Sequence, residues 1–146
     1  MIAVDTNVLV YAHRRDSPWH DAASALLRQL AEGRAAWAIP WPCVHEFLAV
    51  VTHPRIYRPP SPLEVALAQV DAWMESPVLV LAAEGPAYWP ALRSSAETGR
   101  ATGPAMHDAR VAALCVSHGI RELWTADRDF DRFPGVRARN PLVRTT

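Results

Sequence analysis

No lysine occurs in this chain: all 15 of its basic side chains are arginine. Arginine is the better fork for phosphate, but in a chain rich in alanine and proline the bias reads as genomic base composition. An excess of charge of either sign is missing too. The 15 basic groups face 15 acidic ones, a net charge of zero, so charge balance alone does not announce a nucleic-acid partner. Cysteine is scarce. Cys43 and Cys115 are too few for a disulfide framework and wrongly placed for a CxxC motif, so both are expected as small core residues in a reducing compartment. No apolar run approaches the roughly 18 residues needed to span a bilayer. The opening Met1-Ile2-Ala3-Val4-Asp5 has no basic stretch and meets an acid at once, which predicts a buried strand and not a signal peptide. The expectation is a cytoplasmic protein without membrane attachment.

Several catalytic signatures are absent as well. His45-Glu46 begins like the HExxH zinc-protease motif, but position 49 is alanine, so the second histidine ligand is missing. There is no GxGxxG after the first strand, no GxxxxGK[ST] phosphate loop and no GxSxG nucleophile elbow. A pair of aspartates flanking one residue, as in some phosphatases, fails at Asp5 because Asn7 stands in the second place. The histidines show no ligand spacing, and the six tryptophans read as core packing more than as base-stacking platforms.

What is present is the balance of an ordinary globule, 50% hydrophobic and 21% charged. A length of 146 residues suits one domain, residues 1–146, with a single core. Short apolar runs alternate with amphipathic stretches. Strands are expected at 2–5, 36–39, 78–81 and 122–125, with a fifth at 136–138. Between them, helices are expected at 6–13, from Ser17-Pro18 to Gly33, at 41–52, from Ser61-Pro62-Leu63-Glu64, at 86–98 and from Gly103-Pro104 to His118. Ser17 is expected as a helix cap with Pro18 at the first helical position. Trp19, Ala22, Ala23, Leu26, Leu27 and Leu30 then form one buried stripe. Ser61 to Glu64 reads as a capping box, leading a stripe of Leu63, Ala66, Leu67, Val70 and Trp73 or Met74. The helix at 41–52 is apolar nearly all round, so deep burial is expected. Alternating strands and helices predict an α/β fold, a parallel sheet of four to five strands covered on both faces. Ligands in such folds bind beyond the carboxyl ends of the strands.

Four acids stand out against that frame. Asp5 follows the first strand directly, where it serves equally as a helix cap. Glu46 shares its helix face with Cys43, Ala49 and Val50, a setting that demands a cation, hydrogen bonds or exposure at the helix edge. Asp108 shares its face with Val111, Ala112 and Cys115, and its place in the first helical turn also complements the macrodipole. Asp127 follows the fourth strand, with Asp129 as the alternate in a loop that also holds Asp131. Convergent carboxylates repel one another, and a divalent cation is the usual remedy. All-oxygen ligation suits Mg²⁺ or Mn²⁺ better than zinc, and such sites cleave phosphodiesters. Thr6, Asn7 and Thr125 are the candidate supporting groups.

With those residues in place, the chain resembles a PIN-domain ribonuclease, and specifically a VapC-type toxin of bacterial toxin–antitoxin pairs. The resemblance runs nearly end to end. It rests on Asp5-Thr6-Asn7, on Glu46 in Pro42-Cys43-Val44-His45-Glu46-Phe47, on Asp108, on Thr125-Ala126-Asp127-Arg128-Asp129-Phe130, and on the tail from Phe133-Pro134-Gly135 to Asn140-Pro141-Leu142. It implies a three-layer α/β/α fold and Mg²⁺- or Mn²⁺-dependent endonucleolytic cleavage of RNA. Asp5, Glu46, Asp108 and Asp127 carry over as metal ligands, and Thr125 assists by hydrogen bonding. It also implies a 5′-phosphate and a 3′-hydroxyl as products, structured RNA such as tRNA or ribosomal RNA as target, and translation as the process stopped. A homodimer and a VapB-type antitoxin are the implied partners. Because the net charge is zero, RNA must be held by local arginines: Arg14-Arg15, Arg55 with Arg58, or Arg128 with Arg132. A silent PIN-like binding module and a DNA-directed phosphodiesterase are the alternatives. The first is disfavoured by the presence of all four acids, the second by the lack of an added domain for threading DNA.

Overall fold

The computed structural model describes residues 1–143. Five strands, β1 (Ile2–Val4), β2 (Trp37–Pro40), β3 (Leu79–Ala82), β4 (Glu122–Trp124) and β5 (Arg137–Arg139), form one sheet in the order β3-β2-β1-β4-β5. Every pairing is parallel: Val4 lies opposite Trp124, Ala3 opposite Ala38 and Trp37 opposite Leu79. Six helices connect them: α1 (Thr6–His13), α2 (His20–Glu32), α3 (Trp41–Val51), α4 (Leu63–Met74), α5 (Tyr88–Gly99) and α6 (Ala105–Ser117). A 3₁₀ turn over Arg128–Arg132 joins β4 to β5.

The crossovers β1 to β2 to β3 run outward in one direction, whereas β3 to β4 returns across the sheet. Right-handed connections therefore put α1 to α4 on one face and α5, α6 and the 3₁₀ turn on the other. The packing agrees: α1 rests on α2 and α3, α3 on α4, and α6 on α5 and the 3₁₀ turn. The result is the expected three-layer α/β/α fold with a five-stranded parallel sheet. The central strand β1 and all of β2 are enclosed, with Ala3, Val4, Trp37 and Ala38 fully buried. Cys43 and Cys115 are buried free thiols, as the composition suggested.

Several local expectations require correction. Ser17 does not cap α2. The helix begins at His20, and the Ser17 hydroxyl accepts from the Trp19 amide in the turn before it. Trp19 and Ala22 stay exposed, and Ala23 and Leu27 alone of the expected stripe are fully buried. No capping box forms at α4, because the Ser61 hydroxyl is engaged by His13 Nε2 at 2.9 Å and Arg14 at 3.3 Å. Ala66, Val70 and Trp73 bury, while Leu63, Leu67 and Met74 face solvent. Trp89 is likewise exposed, whereas Trp37, Trp73 and Trp124 pack as expected. Helix α3 is not buried all round, since His45, Glu46 and Ala49 are exposed.

Gly99 does not stop α5; it is the helix's last residue, and Arg100 takes the left-handed position after it. The glycine is needed for close approach. A Cβ there would lie 2.4 Å from the Phe133 ring, so the aromatic residue closing the 3₁₀ turn seats directly on the α5 backbone. Arg132 reinforces the seat, donating to the Gly99 carbonyl at 2.9 Å.

Candidate active site

Between β1 and β4 the chain's connections depart in opposite directions, which opens a crevice at the carboxyl ends of those two strands. Asp5 follows β1 and Thr125 follows β4, so the sheet itself brings them together. The Asp5 amide donates to the Trp124 carbonyl at 2.9 Å and thereby extends the pairing to the site.

Asp5 is buried, and three donors hold its carboxylate: the Thr6 amide and the Cys43 thiol on Oδ1, at 2.8 and 3.4 Å, and the Thr125 hydroxyl on Oδ2 at 2.8 Å. It caps α1 through Thr6, so the capping and site readings of this residue are compatible. Burial raises its pKa; the hydrogen bonds from Thr125, Thr6 and Cys43 oppose that rise, and the charge of Asp127 adds to it. Burial first, then Asp5, pushes the Cys43 thiol far up as well, which keeps it a donor.

Thr125 uses its full hydrogen-bonding capacity. It donates to Asp5 and accepts from Asn7 Nδ2 at 3.1 Å and the Asp127 amide at 3.0 Å. Asn7 returns with its Oδ1 to accept from the Ala126 amide at 3.1 Å. The first turn of α1 and the loop after β4 are thus tied by side chains as well as by the sheet.

Asp127 caps the 3₁₀ turn by accepting from the Asp129 amide at 2.8 Å. This turn swings Asp129 back toward Asp108 of α6. Asp108, Asp127 and Asp129 each present a carboxylate oxygen within 4.8 Å of the others. Asp127 and Asp129 both converge on Asp108. The Asp108 carboxyl is pushed up to about 6, by its own desolvation first and then by Asp127, Asp5, Asp129 and Glu46. Four acids thus act on Asp108, and the all-oxygen donor set fits a hard divalent cation.

Glu46 reaches the site from the rim. Of the readings open for it, exposure at the helix edge is the one realised, and its Oε2 accepts from the Thr6 hydroxyl at 3.3 Å. Helix-edge exposure is how the chain avoids the cost of burying this acid among apolar neighbours. Asp5, Glu46, Asp108 and Asp127 all line one groove of ≈ 610 Å³. Tyr57, His45, His107 and Arg110 line it too. Tyr57 and Arg110 carry no site signal in the sequence, and His45 only the first half of an incomplete HExxH pattern; what brings all three to the groove is the packing of their segments around it. Arg110 is held by Glu84 at 3.2 Å.

A family model described as the PIN domain matches residues 2–136. The chain belongs to the PIN-domain family. Its relatives within that family are VapC-type ribonucleases. Ribonuclease VapC48 of Mycobacterium tuberculosis is 36% identical over 138 residues, 94% of this chain and 95% of the relative. VapC ribonuclease Mb2897 of Mycobacterium bovis is 36% identical over 142 residues, 97% and 96% of the two chains. Among solved structures, this PIN-domain chain is similar to VapBC2 from Rickettsia felis bound to a promoter DNA fragment. The TM-score is 0.65 at 21% identity, covering 95% of this chain and 98% of that one. FitAcB from Neisseria gonorrhoeae gives a TM-score of 0.59 at 21% identity, over 97% and 98%. Among the described residues no helix is long and apolar enough to cross a membrane.

Proposed function

We propose that the chain is a Mg²⁺- or Mn²⁺-dependent endoribonuclease, the toxin of a VapBC-type pair, which cuts structured RNA such as tRNA or ribosomal RNA and stops translation. The observation that carries this reading is the convergence of Asp108, Asp127 and Asp129 within 4.8 Å, in a groove shared with buried Asp5 and rim Glu46. Asp5, Asp108, Asp127 and Glu46 would hold the cation, with Asp129 beside them. The cation supplies Lewis-acid neutralisation of the charge that builds on a phosphodiester during in-line displacement.

The chain's own residues do the positioning. Thr125, Thr6 and the Cys43 thiol fix the Asp5 carboxylate before substrate arrives, so little reorganisation is left for the reaction. Thr6 orients Glu46 on the far side. Val10, Val50 and Tyr57 give the groove an apolar wall that keeps water from one side of the substrate and offers a surface to a base or ribose. Arg110, steadied by Glu84, brings positive charge to a groove otherwise dominated by acids.

The likeness to VapBC assemblies supports a VapB-type antitoxin as partner, and exposed Leu63, Val65 and Leu67 on α4 offer apolar surface for a protein contact. A homodimer in the cytoplasm completes the reading. The test is cleavage of total cellular RNA by purified protein in Mg²⁺, Mn²⁺ or EDTA, beside Asp5→Asn. Discrete fragments that need metal and vanish in the variant are expected. Folded, antitoxin-free protein that cuts nothing in any metal would overturn the proposal.

A further inference from the structure

A second cleft, of ≈ 800 Å³, lies at the other end of α1. One helix serves both sites. Thr6, Asn7, Val10 and Tyr11 line the acidic groove, and the chain from Ala12 to Asp16 lines the cleft. The eight residues of α1 span about 12 Å at roughly 1.5 Å each, a distance a few nucleotides long. The boundary is a stacked pair. The Arg14 guanidinium sits 4.2 Å from the centre of the Tyr57 ring, and Tyr57 is itself a wall of the acidic groove.

The cleft is basic in a chain of zero net charge. Arg14, Arg15 and Arg28 line it, with Asp16 as their sole acidic neighbour there. Asp16 is already spent, bound to Arg14 at 2.6 Å and 2.9 Å through two guanidinium nitrogens. Arg14 is thus a fixed structural cation, clamped by Asp16, Ser61 and Tyr57. Arg15 and Arg28 have no acidic partner among the described residues, although Glu32 stands one helical turn beyond Arg28. Pro59, Pro60 and Pro62 also line the cleft and supply a backbone of few donors and little freedom. Two uncommitted guanidinium forks in a concave, hydroxyl-bearing cleft suit phosphate oxygens.

The other arginine pairs singled out from the sequence lack this setting. Arg132 is occupied with the Gly99 and Arg100 carbonyls, and neither Arg55 nor Arg58 lines the cleft or the groove.

Resting on the ribonuclease reading of the acidic groove, we infer that this cleft is a phosphate-binding subsite in which Arg15 and Arg28 grip the RNA backbone a few nucleotides from the bond being cut. The substrate strand then runs along α1, past the Tyr57–Arg14 stack, from an acidic cutting site to a basic anchor. The anchor holds backbone, so it strengthens binding of any sequence.

The test is fluorescence anisotropy of a labelled oligouridylate of about twelve nucleotides in EDTA, across a salt series, with wild type and Arg15→Gln/Arg28→Gln. Each lost phosphate contact flattens the log–log salt dependence of a single strand by about 0.7, so a drop of about 1.4 is expected, with affinity down at least about tenfold at low salt. The control pair Arg93→Gln/Arg121→Gln removes the same charge from exposed sites elsewhere and is expected to leave the slope near wild type. Equal slopes for wild type and the cleft variant, or equal losses in both variants, overturn the subsite. A cleft variant that keeps its RNA slope but loses salt-sensitive binding of a polyglutamate peptide assigns the cleft to a protein partner and also overturns it. If wild type neither binds the strand nor cuts cellular RNA in metal, the ribonuclease reading falls and the subsite with it. If wild type cuts RNA and only the slope comparison fails, the subsite falls alone.

Discussion

The Thr125 hydroxyl donates to Asp5 Oδ2 at 2.8 Å across the β4–β1 boundary, while its lone pairs accept from Asn7 and the Asp127 amide. The first turn of α1 and the loop after β4 therefore meet on one oxygen. Thr125→Val keeps the shape and removes every one of these bonds. It leaves a buried carboxylate short of a donor, which costs about 1–3 kcal/mol. RNA cleavage is expected to fall about 10–100-fold, the usual cost of losing a group that orients a metal ligand. Thr125→Ser is expected to restore most of it. The check is cleavage rate beside thermal unfolding of both variants; full activity in Thr125→Val would show that Asp5 needs no such support.

The raised pKa of Asp108 makes a prediction about stability in metal-free protein. Its carboxyl titrates at about 6 in the folded chain against 3.8 as reference, so the folded state holds the proton more tightly. The stability this contributes is fully present below 3.8 and is lost as pH rises through about 6. Asp108→Asn has no such proton to lose. In EDTA, the variant should therefore melt above wild type near neutral pH, and the gap should narrow as pH falls toward 4. Mg²⁺ should raise the wild-type melting temperature more at neutral pH than at about pH 5, because protons and cation compete for the same oxygens. A pH-independent gap in melting temperature would disprove the coupling.

The sheet and the placement of the acids were legible because they rest on strong local signals. Asp5 and Asp127 follow apolar strands; the strand order that sets β1 beside β4 and opens the crevice between them rests on long-range pairing and was not legible. Glu46 was half legible. Its apolar helix neighbours announced an anomaly, but side-chain spacing does not reveal that the outer edge of α3 overlooks an open groove. The two serine caps failed for different reasons: Ser17 is taken locally by the Trp19 amide before the helix begins, whereas Ser61 fails for a reason outside its own segment. Ser61 has the right neighbours for a capping box, but His13 and Arg14, far away in sequence, take its hydroxyl. The convergence of Asp129 with Asp108 was illegible, since it depends on a 3₁₀ turn with no repeating apolar pattern.

Gly99 is where the fold and the acidic loop are mechanically joined. Phe133 lies over its Cα, and Arg132 bonds its carbonyl, so the end of the 3₁₀ turn is anchored to α5. Gly99→Ala drives a methyl to 2.4 Å from the ring and, by overpacking, should destabilise the protein by about 1–3 kcal/mol. Phe133→Leu should relieve part of this in the double variant. Chemical denaturation of the four proteins measures the coupling; strictly additive losses would show that the two residues do not share the contact.

Asp127 and Asp129 both approach Asp108 but hold different structural positions. Asp127 lines the groove and caps the turn through the Asp129 amide, whereas Asp129 is exposed and lies outside the groove lining. Asparagine at 127 keeps an oxygen for the cap but removes a charge from the groove; at 129 it removes charge only from the outer side. Asp127→Asn should therefore cost more cleavage than Asp129→Asn, by about tenfold or more. The Mg²⁺ concentration for half-maximal rate should rise in both, since each carboxylate adds to the field on the cation. Magnesium titrations of cleavage by the two variants decide the matter. Equal losses would make Asp129 a full partner at the site, and a larger loss at 129 would reverse the assignment.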